Sequence, residues 1–201
     1  MIFLLPLLSA ATTDADVRVT FSRDGNRAAV ESRWMADGSG SPMVSLTELD
    51  TRSGATLGSW VSTPGYANTS AAEAAVWKDA QNAGAVVDID VANAATGITC
   101  TDGACVVSGG CGSRTVAINV SAVPVAPMPE ECIEFGRPET PMVTVDGKPW
   151  PVASPLAPCA HGYQTRALYV SGGHAVLLVD YVGRGHEGGR NGVLALAGSV
   201  K

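Results

Sequence analysis

The chain is short of positive charge. Thirteen Lys and Arg stand against nineteen Asp and Glu in 201 residues, for a formal net charge of −6. The arginines are scattered singly, so the basic patch or stripe that marks a nucleic-acid surface is missing, and no nucleic-acid partner is expected. Long apolar runs are missing too. Ile2 to Leu8 is too short to span a bilayer as a helix, and no later segment qualifies, so the mature chain is expected to carry no transmembrane segment. The strand–helix alternation of a parallel, doubly wound sheet is absent. No Gly-x-Ser-x-Gly occurs, which removes the common hydrolase elbow. EF-hand spacing is absent, although Asp37 to Ser41 (Asp-Gly-Ser-Gly-Ser), Asp88 and Asp90 are oxygen-rich. A buried core is well supplied, since 46% of residues are hydrophobic.

The first residues, MIFLLPLLSAATTDADV, read as a secretory signal: an apolar stretch followed by Ser9-x-Ala11, the small-x-small spacing that a signal peptidase accepts. Residues 1–11 are read as the signal peptide and 12–201 as a single secreted β-rich domain. The chain is therefore expected to be secreted or periplasmic. Five cysteines fit that compartment, because disulfides persist where it is oxidising. Cys132 with Cys159 would close a loop of 28 residues, counted from 132 to 159 inclusive. Cys132 also begins an apparent strand, Cys-Ile-Glu-Phe. Cys100 with Cys105, across a Thr-Asp-Gly-Ala turn, is the second expected pair, which leaves Cys111 free. Zinc is the competing reading for Cys100 and Cys105, but no second close pair completes such a site.

Between residues 17 and about 61, apolar residues alternate with polar ones in four runs separated by turn residues such as Ser22-Arg-Asp-Gly25. Four antiparallel strands with short connections follow from this pattern. Thr69 or Ser70 can cap a helix, with Glu73 as capping-box partner. An Ala-rich segment follows, and Gly84 supplies a stop. Strands return after the helix: around Val87 to Val91, on both sides of the Thr101–Ala104 turn, and in Val116 to Val120. A hairpin is expected in MVTVDGKPWPV with Asp146–Gly147 at its tip, then strands in YQTRALYV, HAVLLVDYV and GVLALAG. Val123 to Glu131 is Pro-rich and extended, a crossover or linker. The expected fold class is α+β and β-dominated, an antiparallel sandwich-like sheet with one α-helix at about 70–84.

Two hairpins, VTFSRDGNRAAVESRW and LYVSGGHAVLLVDYV, share a strand–turn–strand design. Ser22-Arg-Asp-Gly25 together with Leu49-Asp-Thr-Arg-Ser-Gly54 also resembles one blade hairpin of the propellers in periplasmic Tol-type proteins. A propeller needs several blades of about 40 residues, and the helix interrupts that period. A wider resemblance rests on four features in order. These are FSRDGNRAAVESRWMADGSGSPMVSLTELD, an Ala-rich helix after Ser-Thr-Pro-Gly, Cys159 followed by Gly162–Tyr163, and Gly185-His-Glu-Gly188 after a final long strand. On these the chain resembles a family of predicted secreted bacterial proteins classed as a domain of unknown function. It departs from that pattern at His186, where an aromatic residue is usual, and at Pro158, where Arg is frequent. The resemblance implies export and a β-rich domain, and assigns no activity and no catalytic residue.

The stretch YVGRGHEGGRNG carries Gly183, Gly185 and Gly188 at the spacing of a dinucleotide fingerprint. That fingerprint requires a helix after the glycines, and GVLALAG reads as a strand. A hairpin connection is the better reading, with no cofactor expected. Its adjacent His186 and Glu187 would face opposite ways on an extended chain. Glu187 is expected to pair with Arg184 or Arg190. His161, His174 and His186 with Asp180 are the remaining metal candidates, and none of their spacings fixes two ligands on one local element. Cys159 with His161 is a nucleophile–base combination that the disulfide would preclude. Tyr163 and Tyr181 read as core or strand-face residues. The leading function is a non-enzymatic envelope or extracellular binding module with an unknown envelope protein or ligand as partner. The alternative is a metal-dependent or hydrolytic enzyme using His174, His186 and Glu187. An apolar or aromatic patch around Trp34 or Trp60 would favour the module.

Overall fold

A computed structural model describes residues 16–36, 40–101, 103–109, 112–152, 156–184 and 189–200. The four N-terminal strands are β1 (Asp16–Ser22), β2 (Arg27–Met35), β3 (Pro42–Asp50) and β4 (Thr56–Val61). They pair antiparallel in sequence order, and β5 (Ile89–Ala94) adds to the far side of β1, giving the order β4-β3-β2-β1-β5. The second sheet contains β6 (Ile98–Thr101), β7 (Ala104–Gly109), β8 (Gly112–Pro124), β9 (Glu139–Val145), β10 (Lys148–Trp150), β11 (His161–Ser171), β12 (His174–Arg184) and β13 (Gly189–Ser199). Its order is β10-β9-β8-β7-β6-β11-β12-β13. The chain is thus β-dominated and antiparallel with one described α-helix, as its alternation predicts.

Local chemistry explains the turns. At the β1–β2 turn the Ser22 hydroxyl donates to Asp24 Oδ1 at 2.7 Å, and Arg27 N donates to Ser22 Oγ at 3.0 Å. Gly25 completes the turn at φ +72°. Asp146 and Gly147 both have positive φ, +49° and +73°, as a two-residue type I′ hairpin requires. Cys132 does not begin a strand: Glu130–Cys132 is a 3-10 turn. Two prolines just before it, Pro127 and Pro129, lack the N–H that a ladder would use.

The helix α1 spans Thr69–Asn82. Asn68, rather than Thr69 or Ser70, is its N-cap, with Oδ1 accepting from Ala71 N at 2.9 Å. Glu73 is therefore released from a capping box and turns to Arg33, 3.0 Å away. Gly84 ends the helix at φ +77°: its N–H reaches Gln81 O at 2.9 Å and that of Ala85 reaches Ala80 O at 3.0 Å, a Schellman closure. Asn68→Ala is expected to cost about 1 kcal/mol. Thermal unfolding checks this against Ser70→Ala, which leaves the cap in place; a larger loss from Ser70→Ala would refute the assignment.

Burial resolves the two sheets into layers. Ala72, Val76 and Ala80 of α1 pack on Ala29 of β2 and on Val44 and Leu46 of β3. The opposite face of that sheet, with Val19, Phe21, Ala28, Val30 and Leu49, packs on Val176, Leu178 and Ala197 of β12 and β13. The other face of β11–β13, with Leu168, Ala175, Leu177, Val179 and Leu196, meets Val116, Ile118, Val143, Val145 and Trp150. The eight-stranded sheet therefore curls back over itself. A Cβ added at Gly198 of β13 would lie 2.5 Å from the Trp150 ring, so a glycine there lets the ring close the roll. The two similar hairpins, β1–β2 and β11–β12, lie face to face in the middle core.

Candidate functional site

Both expected disulfides are present. Cys100 and Cys105 are direct cross-strand partners with Cα atoms 4.4 Å apart, and the Cα atoms of Cys132 and Cys159 lie 5.3 Å apart. The Cys159 sulfur is thereby removed from any nucleophilic role. Cys111 lies outside the described residues, as do the signal segment 1–11, Asp37, Gly185, His186, Glu187 and Gly188.

The two described histidines, His161 and His174, do not share one place in the fold. His161 opens β11 and its Nδ1 lies 2.9 Å from Cys159 O. His174 opens β12 beside the β1–β2 turn, where a Cβ on Gly25 would stand 3.4 Å from its ring. Its Nδ1 is buried without a hydrogen-bond partner among the described residues. Arg184 and Gly189, which bracket the 185–188 connection, pair at the other end of the β12–β13 hairpin. Ten strand steps of about 3.3 Å separate His174 from that end, roughly 33 Å. Among the described residues, no group of three or more His, Cys, Asp or Glu side chains could hold a metal ion.

The glycine-rich stretch has a packing explanation where it is described. Gly189–Ser199 is a strand, not the helix whose N-terminus would hold a pyrophosphate. Gly192 lies against the Tyr181 ring, which a Cβ would approach to 2.4 Å. Tyr181 in turn lies 5.9 Å from Tyr163, ring centre to ring centre. Burial, with Tyr181 and Glu139 nearby, pushes the Tyr163 phenol up to about 12, so it stays a donor to Glu139 O at 3.3 Å. The Arg184 guanidinium lies over Phe135 at 5.3 Å. Burial also raises the Asp180 carboxyl, opposed by Arg166 at 3.6 Å.

Charge is concentrated under α1. Arg33 reaches Glu31 Oε1 at 2.6 Å and Glu73 Oε2 at 3.0 Å, while Trp77 Nε1 donates to Glu31 Oε2 at 2.6 Å. Arg18 donates to the Val91 carbonyl. Glu31 is only 2% exposed, yet both its oxygens are occupied, which is what a buried carboxylate requires. These groups bind the helix to the sheet. Trp60, on the same face, covers its own Gly58 and joins the helix-side core.

An open groove of about 1100 Å³ lies at the other edge of the five-stranded sheet. Phe21, Ile89, Ala95 and Val170 give it an apolar side, and Arg23, Asp24, Asp88 and Asp90 a charged one. The β1–β5 ladder makes the space. Thr20 pairs with Ala94 but Ser22 with Ile89, so β5 carries three more residues than β1 over that interval. One rim is anchored by a buried carboxylate. Glu48 Oε1 accepts from Val86 N at 3.3 Å and pairs with Arg27 at 3.1 Å, holding Val86 at φ +51° just before Val87 and Asp88. The Ser22 hydroxyl, then Asn26, hold the Asp24 carboxyl down at about 2. Asp24 is therefore a fixed negative charge at neutral pH. Its residue type is legible in the sequence as turn chemistry, and Asp88 and Asp90 read there as a solvated strand face. Their convergence is not legible, because it depends on β5 returning to β1 from across the helix.

No protein family, no curated protein and no solved structure matches the chain.

Proposed function

We propose that the chain is a non-enzymatic binding module of the bacterial envelope or the extracellular space, and that it takes its ligand in the groove between β1, β5 and β11. The groove itself carries the reading. It offers apolar contact beside Asp24, Asp88 and Asp90, with Arg23 as its cation, and so favours a ligand that joins a positive charge to an apolar group. Asp24, whose carboxyl is held low by the Ser22 hydroxyl and then Asn26, supplies a fixed negative charge to the groove. Two disulfides, the Ile2–Leu8 run with Ser9-x-Ala11, and the resemblance to predicted secreted bacterial proteins support export. Among the described residues no helix is long and apolar enough to cross a membrane.

Titration of isotope-labelled protein with a short peptide of alternating Lys and Leu tests the proposal. Amide shifts are expected at Phe21–Asp24, Val87–Asp90, Ala95 and Val170–Ser171. The double change Asp88→Asn, Asp90→Asn is expected to weaken binding about tenfold, equivalent to about 1.4 kcal/mol. Added salt is expected to weaken it as well, since the rim carboxylates are exposed. Shifts confined to another surface, or none at all, would overturn the proposal.

A further inference from the structure

The eight-stranded sheet is weakest at β6. That strand is four residues long, and it alone joins β7–β10 to β11–β13 within the sheet. On its β11 side the register pairs Leu168 with Ile98 and Ala167 with Thr99 and goes no further. On its β7 side it pairs Cys100 with Cys105 and Thr101 with Ala104. Both neighbours hold their other partners over longer ladders. β7 stays in register with β8 from Ala104 to Gly109, and β11 with β12 from Ala167 to Ser171. The two ends of β6 are held by opposite halves of the sheet. Just before it, Gly97 lies against the Tyr169 ring of β11, which a Cβ would approach to 2.8 Å. Just after it, Ile118 N of β8 donates to the Gly103 carbonyl at 2.6 Å. The line along which the halves can part therefore runs between Cys100 and Cys105, and their disulfide spans it. At the far end of β8, where Pro124 pairs with Glu139, the roll is closed separately: Glu139 N reaches Ala160 O beside Cys132–Cys159.

The two disulfides differ in reach and in cover. Cys132 and Cys159 are 27 positions apart and both are buried. Cys100 and Cys105 are five positions apart; Cys105 is buried, but Cys100 is only partly so. A bond that closes a shorter loop removes less entropy from the unfolded chain, so breaking it costs the fold less. Thiol–disulfide exchange also needs access to a sulfur, and of the four bonded cysteines Cys100 offers the most. We propose that Cys100–Cys105 is a reducible latch on the β6–β7 seam, opened by a dithiol and closed again by oxidation. One thiolate of the dithiol attacks the Cys100 sulfur. The Cys100–Cys105 bond breaks, and Cys105 leaves as a thiolate that takes up a proton. The second thiolate of the dithiol then attacks the mixed disulfide and releases Cys100, which is protonated in turn. The dithiol ends as a disulfide, and two electrons and two protons have passed to the cysteine pair. The Cys105 thiol remains in the core as a small apolar group. The reduced seam keeps only its two ladder pairs, so β6 parts from β7 and gives solvent a path to the core around Cys105 and Val116. The Cys132–Cys159 end keeps the rest of the roll closed.

Graded reduction is the test, in a Cys111→Ser background that removes the fifth thiol from exchange. The protein is equilibrated with increasing dithiothreitol, quenched in acid, unfolded and alkylated, and the modified cysteines are mapped by mass. Cys100 and Cys105 are expected to be reduced together at dithiothreitol concentrations about tenfold or more below those that reduce Cys132 and Cys159. At that first plateau, amide hydrogen exchange is expected to speed about tenfold in Ile98–Thr101 and Cys105–Val107 and to stay unchanged in Leu177–Val179 of β12. Reoxidation should restore the slow rates. The double change Cys100→Ser, Cys105→Ser should show the open pattern with no reductant, and its thermal midpoint reports that it is still folded. Reduction of Cys132–Cys159 first, or of both pairs together, would overturn the proposal. So would early reduction of Cys100–Cys105 with no faster exchange at the seam, because the bond would then latch nothing. Faster exchange that spreads to β12 would sink it as well, because the bond would then hold the whole fold.

Discussion

Replacing Cys132 and Cys159 together by Ala is expected to lower the unfolding free energy by about 3–4 kcal/mol. The two residues are 27 positions apart, and the bond removes the closure entropy of that loop from the unfolded chain. In the native chain the same segment is also held by the β8–β9 ladder and by Val143, Val145 and Trp150 in the core, contacts that the unfolded chain lacks in parent and variant alike. After β8 ends at Pro124 it holds a 3-10 turn, the β9–β10 hairpin and the irregular approach to β11. Its backbone is tied to β8 through the whole of β9, and Glu139 N donates to Ala160 O at 2.8 Å beside the disulfide. Both cysteines are buried, at 2% and 3% exposure, so the double Ala variant also loses packing. The Cys100–Cys105 bond closes a far shorter loop, five positions apart, across strands already joined by a tight turn. Its removal is expected to cost about 2 kcal/mol by the same entropy argument. Urea unfolding of the two double variants against the parent decides the order. A greater loss from the Cys100 and Cys105 pair would mean that the Cys132–Cys159 loop is already constrained in the unfolded ensemble.

Local chemistry was the legible part of this chain. Period-two alternation places β1 to β4, and Asp146–Gly147 places the β9–β10 hairpin, because each depends on neighbours within a few residues. The same holds for the stop at Gly84. Readings failed where two local signals competed. Thr69, Ser70 and Glu73 satisfy the capping-box pattern, yet Asn68 caps the helix and Glu73 is taken by Arg33, which reaches it from a strand 40 residues earlier. Cys-Ile-Glu-Phe has the residue types of a strand, but the disulfide and the preceding prolines hold its start in a 3-10 turn. The groove was illegible for a related reason. Phe21, Asp88 and Val170 meet only through pairings of β5 with β1 and the stacking of two hairpins 150 residues apart, and no window of sequence contains both partners.

The run His174 to Val182 shows how a fold-level fact can be present in a sequence and still be read too simply. It predicts a strand, which β12 is. Its apolar residues do not alternate, however, and Ala175 to Val179 are all at 0% exposure. A strand that is apolar on consecutive residues is buried on both faces. Leu177 enters the core against β8, β9 and β10, and Leu178 the core against β1 and β2. Leu177→Ala and Leu178→Ala are each expected to cost about 2–5 kcal/mol, and to lower Tm by roughly 10 °C, although the two residues are adjacent. A strand with one wet face behaves otherwise. On β8, Ile118 is 4% exposed and Asn119 is exposed, so Ile118→Ala should be costly while Asn119→Ala stays within about 0.5 kcal/mol. Denaturant unfolding of these four variants measures the number of layers directly. If either leucine of β12 proves as tolerant as Asn119, one of its two faces is solvent, and the sheet does not curl back over it. Two large and equal losses would instead require the layered order of helix, five-stranded sheet, β11–β13 and the returning β7–β10.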